Sequence, residues 1–257
     1  KGAGGTGCFV GNGGMGPMLT KLIEQTAAEF AGTVQHHSGF PEEAQKVVGL
    51  RKDPKSNLWE LLTKAGKSLG PFDLVVGGFA QHILTDPFLK SGGKSSDAML
   101  RCLRRVESNQ IIPIQVSFEA TGEKGGPALP MPFTAAHVLG EDALSWVCDN
   151  SKKPQQDPKR GFGTPGCAHL TLLSAAKFAE ENFQLNPKGY KREAEVRMLA
   201  ALARLLGISD AELARLQPRV NRINHWEDGV AVNTPPDSRG CLLDAAEGLG
   251  WCGDFCV

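Results

Sequence analysis

The sequence predicts an α+β protein, on three observations. Residues 111–173 read as successive strands, residues 174–216 as helices, and strand character returns at Arg219, where a parallel α/β chain would alternate the two. Hydrophobic residues make up 41% of the 257, enough for a real core and too many for a disordered chain. Glycine and proline, 31 and 16 residues, cut the chain into short elements without making it low in complexity. The length suits one large domain or two small ones.

Each element has a local reason. After a glycine-dense start, KGAGGTGCFVGNGGMG, Pro17 opens a helical run in which Met18, Leu19, Leu22, Ile23 and Phe30 share one stripe. Pro17 suits a first helical position and Gly32 the stop. Two β-like runs follow at Thr33–His36 and Lys46–Leu50. NLWELLTKAG reads by propensity as a short helix from Asn57, with Glu60 completing a capping box. FDLVVGG (Phe72–Gly78) reads as a buried strand and Ser95–Ser108 as a capped amphipathic helix. Ile111–Glu119, Leu144–Asp149 and Ala168–Leu173 read as strands of one sheet, separated by Gly/Pro/Lys loops at Lys124–Pro132 and Lys152–Gly166. Helices are expected at Ser174–Phe183, at Lys191–Leu206 with a stop at Gly207, and after Ser209, whose Glu212 stands three residues on. Arg219–Trp226 reads as a strand, and LGWCGDFCV ends the chain.

Composition narrows the function. Lys plus Arg and Asp plus Glu are 28 each, so no basic footprint for nucleic acid is expected. No apolar run approaches a membrane span, and no secretory signal pattern is present. Seven cysteines scattered over the chain argue against a disulfide framework. A single tyrosine makes an aromatic stacking platform a poor expectation.

The pattern G-x-G-x-x-G occurs twice, at Gly2-Gly4-Gly7 and Gly11-Gly13-Gly16. It binds a pyrophosphate only where a strand delivers the glycines and a helix follows. The first copy has one residue ahead of it; the second has only Cys8-Phe9-Val10, and His36-His37 stand where an acidic residue belongs. A glycine loop that lets a helix N-terminus pack closely is the favoured reading, with a small NAD-binding protein as a weaker third possibility. Adjacent histidines on a strand point to opposite faces, so His36-His37 do not chelate a metal together, and no metal site is expected. Cys252 and Cys256 read as packed thiols. Lys152-Lys153 read as a solvated loop rather than an anion site, and no catalytic side chain can be assigned from spacing.

Several segments, in order, resemble the renalase-like, FAD-dependent amine-oxidase-type flavoproteins, over Phe9 to Val257. FVGNGGMGPMLTKL resembles that family's loop and helix beside the flavin, and Trp59-Glu60-Leu61 followed by FDLVVGGF its Trp-x-Leu and Phe-Asp-x-Val-Val strands. Ile112-Pro113 with VSFE, LSWVCDNSKKP (Leu144–Pro154), INHWEDGVAVNTPP and GLGWCGDFCV are similar to later landmarks. The resemblance implies that NLWELL is a strand, against the propensity reading. It implies a mixed-sheet substrate domain at 51–218, and an incomplete, discontinuous FAD-binding domain at 1–50 and 219–257. It implies FAD contacts from Gly11, Gly14, Met15, Trp226, Gly253 and Asp254, and a pocket lined by the sheet around Ile112–Phe118 and Leu144–Cys148. The activity implied is hydride transfer from an amine-like or dihydropyridine substrate to flavin, with the flavin carrying the chemistry.

In that family a strand–GxGxxG–helix precedes the stretch matching Phe9, and a flavin-facing helix follows the Gly-Asp; neither is in this sequence. The chain is therefore expected to be the ordered part of a longer protein, a fragment of an incomplete gene model, or a degenerate relative. The last would be a cofactor-free scaffold or accessory subunit with protein partners in a larger, organellar assembly. Cytosol and plastid are both compatible with the resemblance.

Overall fold

The structure, a computed structural model, describes residues 15–29, 47–78, 101–119, 129, 131–153, 166–185, 188–235 and 240–256. In chain order the elements are α1 (Met15–Glu29), β1 (Val47–Lys52), β2 (Trp59–Thr63), β3 (Ser68–Phe72), β4 (Val75–Gly77), β5 (Ser108–Ile111) and β6 (Pro113–Phe118). Then come β7 (Ala135–His137), β8 (Leu144–Asp149), β9 (Ala168–Ser174), α2 (Ala176–Leu185), α3 (Tyr190–Leu206) and α4 (Asp210–Arg215). The chain ends with β10 (Arg219–Ile223), β11 (Trp226–Ala231), β12 (Leu242–Asp244) and β13 (Leu249–Trp251). The class is α+β, as the order of elements predicts. No helix among the described residues is long and apolar enough to cross a membrane.

The chain forms two compact units, 1–37 with 111–226 and 38–110 with 227–257. The first is built on a five-stranded sheet of order β10-β6-β9-β8-β7, in which the three strands expected to share a sheet are neighbours. All four pairings are antiparallel. Alternation divides the faces. Ile114, Val116 and Phe118 of β6, Leu170 and Leu172 of β9, and Leu144 and Val147 of β8 pack with Phe178, Met198 and Leu202 of the helices in one core. Burying an aliphatic side chain of this size contributes roughly 1.5–3 kcal/mol.

Helix ends follow local rules. Gly207 closes α3 in the left-handed region at φ 68°, and its N–H returns to the carbonyls of Ala203 and Arg204. Ser209 caps α4 in a reciprocal capping box with Glu212. Those hydrogen bonds from the Ser209 N–H and hydroxyl hold the Glu212 carboxyl below its usual range. In α1 the stripe residues Met18 and Leu22 are exposed.

The second unit holds the sheets β1-β2-β3 and β12-β13-β4, with the ribbon β5–β11 falling mostly in it. Its core gathers Leu50, Trp59, Leu103, Val106, Leu242, Leu249, Trp251 and Cys256. The Trp59 indole N–H donates to the Glu247 carbonyl at 2.7 Å. Lys52 reaches the same carbonyl at 2.9 Å and the Glu247 carboxylate at 2.8 Å. Asn233 braces the ribbon, accepting from the Glu107 N–H and donating to the Arg105 carbonyl, both at 2.8 Å.

Four expectations are corrected. The helix from Asn57 is a strand, β2, paired antiparallel with β1. Asn57 sits at φ 62°, in the left-handed conformation asparagine tolerates. Asp53 organises the turn before it, accepting from Lys55 N–H, Ser56 N–H and the Ser56 hydroxyl. Glu60 faces its cross-strand partner Arg51 instead of capping, and that guanidinium, with Ser68, lowers its pKa. The buried strand over Phe72–Gly78 is only the three-residue edge strand β4, with Leu74 and Val76 exposed. Arg219–Trp226 is not one strand: β10 ends at Ile223, and Asn224 N–H closes on the Pro113 carbonyl at 3.1 Å. His225 then stacks on Phe183 at 3.9 Å between ring centroids, with Tyr190 edge-on at 5.8 Å. The Thr33–His36 strand and residues 36–37 lie outside the described residues, as do 95–100 of the expected Ser95–Ser108 helix and most of both loops. Of 101–108, only 101–103 are helical, and Ser108 opens β5 instead of ending a helix.

Candidate functional site

In the second unit, β13 and β4 run parallel, pairing Leu249 with Val75, Gly250 with Val76 and Trp251 with Gly77. The ladder continues at both ends, through Val75 N–H to the Gly248 carbonyl and Cys252 N–H to the Gly77 carbonyl, each at 3.0 Å. Open sheets with parallel strands bind ligands beyond the strands' carboxyl ends. Here those ends carry Gly77-Gly78 and Cys252-Gly253-Asp254 side by side. A Cβ on Gly77 would meet the Trp251 indole nitrogen at 2.8 Å, so this glycine makes room for a core side chain. Among the described residues, a Cβ on Gly78 would meet only the Cys252 carbonyl oxygen, at 4.0 Å. Asp254 opens a 3₁₀ turn, Asp254–Cys256, and is exposed. Cys256 N–H closes that turn on the Gly253 carbonyl at 3.0 Å.

Of the residues expected at a cofactor, Gly11 and Gly14 lie outside the described residues. Met15 is the first residue of α1. Trp226 opens β11 and is 47% exposed. Met15 and Trp226 fall in the first unit and Gly253 and Asp254 in the second; only the last pair shares a local structure.

The five-stranded sheet has a second face, which the sequence reading missed. Ile112, Ile114, Val116, Phe118, Leu144 and Val147, from the segments expected to line a pocket, are core residues instead. Their alternates lie on the opposite side of the sheet, where register sets Ser117 beside His169, and Gln115, Thr171 and Cys148 in one row. Ser117 Oγ lies 2.9 Å from His169 Nδ1 and accepts from the Asn221 amide on β10. At the end of β8, Asn150 donates to the Thr171 hydroxyl at 2.9 Å and accepts from the Lys153 ammonium at 2.7 Å. Buried Asp149 accepts from the Ser151 N–H at 3.0 Å and from its hydroxyl. Lys152 donates to the Met131 and Phe133 carbonyls, so it ties the loop down. Polar residues at every second position of IQVSF and AHLTLL were the available signal.

No protein-family model matches the chain, and no curated protein matches it in sequence. Among solved structures it is similar to an oxidoreductase from Methanosarcina mazei, at 17% identity and a TM-score of 0.57. That likeness covers 95% of this chain and 50% of the other, so the chain spans about half that protein's length. It is also similar to a Pyrococcus furiosus protein, at 10% identity over 70% of this chain and 36% of that one, with a TM-score of 0.40. A redesigned putrescine oxidase follows, at 16% identity over 70% of this chain and 33% of that one, with a TM-score of 0.41. At these identities the likeness to the Methanosarcina mazei protein is one of fold.

Proposed function

We propose that this chain is part of a renalase-like, FAD-dependent oxidoreductase acting on an amine-like or dihydropyridine substrate. The observation that carries the reading is the fold shared with an oxidoreductase along nearly the whole chain. A fold alone hosts many functions, so the site must supply the rest. The paired ends of β4 and β13 fit one edge of such a cofactor. Gly78 offers bare backbone, and Asp254 an exposed carboxylate able to accept hydrogen bonds from a polyhydroxyl chain. When bound, FAD supplies the hydride-accepting chemistry. The chain's own residues orient it and the substrate. We assign substrate contacts to the face bearing Ser117, His169 and Asn221, whose mutual hydrogen bonds hold them in place. Gly11, Gly14, Met15 and Trp226 complete the proposed flavin contacts.

The test is flavin content of the full-length protein, isolated natively, denatured, and assayed for released FAD. The reading expects one FAD per chain in the wild type and a marked loss in Asp254→Ala, with Asp254→Asn intermediate. Absence of flavin from the native protein, or full retention in Asp254→Ala, overturns it.

A further inference from the structure

We propose that Cys241 and Cys252 form a redox-active thiol pair, which closes to a disulfide by exchange with small-molecule disulfides. This goes beyond the oxidoreductase reading and does not depend on it.

The register of β12 and β13 pairs Leu242 with Trp251. Cys241 and Cys252 stand one residue beyond the last paired residues, where the same register extended by one step sets them opposite each other. Directly opposed residues in such a pair have Cα atoms roughly 4.5–5.5 Å apart, inside the roughly 4.4–6.8 Å range that a disulfide spans. Both thiols are exposed, so an attacking disulfide can reach them.

A third thiol fixes the neighbourhood. Cys256 is buried, and its sulfur lies 3.9 Å from the Trp251 carbonyl oxygen. Burial pushes the Cys256 thiol's pKa up, and the nearby Cys252 and Cys241 sulfurs push the same way. The Gly253 and Leu242 N–H groups oppose them. Leu242 follows Cys241, while Trp251 and Gly253 flank Cys252, so the backbone around Cys256 belongs to both members of the pair. The trio is a thiol cluster rather than a cation site, because among the described residues no three Cys, His, Asp or Glu side chains are placed to hold a metal ion. Its buried member is poorly placed for exchange, which leaves the exposed two.

The exchange balances in two steps. The Cys252 thiolate attacks one sulfur of a disulfide RSSR, forming a mixed disulfide and releasing RS⁻. The Cys241 thiolate then attacks the Cys252 sulfur, forming the Cys241–Cys252 bond and releasing the second RS⁻. The protein gives up two electrons, RSSR is reduced, and the two thiol protons leave on two RSH. The new bond would tie the start of β12 to the strand end that carries Gly253 and Asp254.

The test uses the reduced full-length protein with oxidised glutathione as the probe, acid quench, alkylation and peptide mapping. The expected result is loss of two alkylatable thiols per chain, a Cys241–Cys252 cross-linked peptide, and no persistent glutathione adduct. Cys241→Ser should then trap glutathione on Cys252. As a second readout, phenylarsine oxide, which bridges neighbouring thiols, should bind once per chain and be lost in both Cys241→Ser and Cys252→Ser. A Cys252–Cys256 cross-link, a stable adduct in the wild type, or arsenical binding that survives Cys241→Ser overturns the proposal. Both substitutions are at exposed positions, and circular dichroism checks that each variant is folded.

Discussion

Replacing Gly248 by alanine tests how the second unit is held together. Gly248 has φ 65°, and a Cβ there would stand 2.3 Å from the Asp73 carbonyl oxygen, a backbone atom that no rotamer change can move. Two costs combine. A non-glycine residue in the left-handed region costs roughly 1–2 kcal/mol, and forcing the strand away from Asp73 adds overpacking of roughly 1–3 kcal/mol. The shift would also disturb the 3.0 Å bond from Val75 N–H to the Gly248 carbonyl and the 2.7 Å bond from Trp59 to Glu247. The expected loss is therefore roughly 2–5 kcal/mol. The control is Gly66→Ala, where φ is 79° but no atom of the described residues lies within 4 Å of the new Cβ, so only the backbone term of roughly 1–2 kcal/mol applies. Because the chain has two units, a global melt is the wrong readout. Native-state hydrogen exchange of the β4 and β13 amides reads the affected unit directly. A loss of about 2 kcal/mol lowers protection about 30-fold, at tenfold per 1.4 kcal/mol. Equal protection in Gly248→Ala and Gly66→Ala would refute the reasoning, because the Asp73 contact would then cost nothing.

Two further outcomes concern the first unit. Ser209→Ala removes the hydroxyl that accepts from the Glu212 N–H and donates to the Glu212 carboxylate, and should weaken α4 by about 1 kcal/mol, seen as faster amide exchange at its first turn. It should also make an acid limb shallower in part, because the backbone N–H of residue 209 still reaches the Glu212 carboxylate while the hydroxyl's bond is gone. The folded pKa of Glu212 is depressed, so its contribution is full above the ordinary value of 4.5 and is lost as pH falls through the folded value. A mutant whose stability still falls on acidification as steeply as the wild type's would contradict this. Asp149→Ala leaves the part-buried Ser151 N–H without its acceptor, costing roughly 1 kcal/mol. Asp149→Asn keeps a carbonyl oxygen for that N–H and should cost less in chemical denaturation; equal losses would show that the hydrogen bond is not what matters.

Legibility tracked the range of the interactions. Gly207 and the Ser209–Glu212 box are local rules, and the junction between α3 and α4 follows them. In the five-stranded sheet, β6 and β9 were readable because their alternation runs through five or more residues, and β8 as a short apolar run whose burial does not alternate. Asn57-x-x-Glu60 satisfied the letter of a capping box, but the deciding contacts came from outside the window. Arg51 on the neighbouring strand engaged Glu60, and Asp53 built the turn. The run FDLVV looked buried because it is apolar, yet an edge strand in a three-stranded sheet has too little covering it. The thiol cluster was invisible for the same reason. Cys241 and Cys252 lie on the two arms of one hairpin with no motif spacing to mark them, and the β12–β13 register is what sets them near each other.

The sheet face opposite the core shows why a candidate site is better sought in phase than in motif. Its polar side chains come from β6, β8, β9 and β10, so no short stretch of sequence contains them. What unites them is the strand period: the same alternation that sends Val116 and Leu170 into the core turns Ser117 and His169 the other way. A half-buried polar group loses hydration, and it is tolerated when it gains a partner. Ser117 has found two, the His169 imidazole and the Asn221 amide, and Asn150 likewise holds Thr171 and Lys153. The Ser117–His169 and Ser117–Asn221 bonds each join two strands, so those side chains are positioned by the sheet, while Asn150 ties the turn after β8 to Thr171 of β9. Such preorganisation is what a binding face requires, since a ligand then spends little of its interaction energy on ordering the protein.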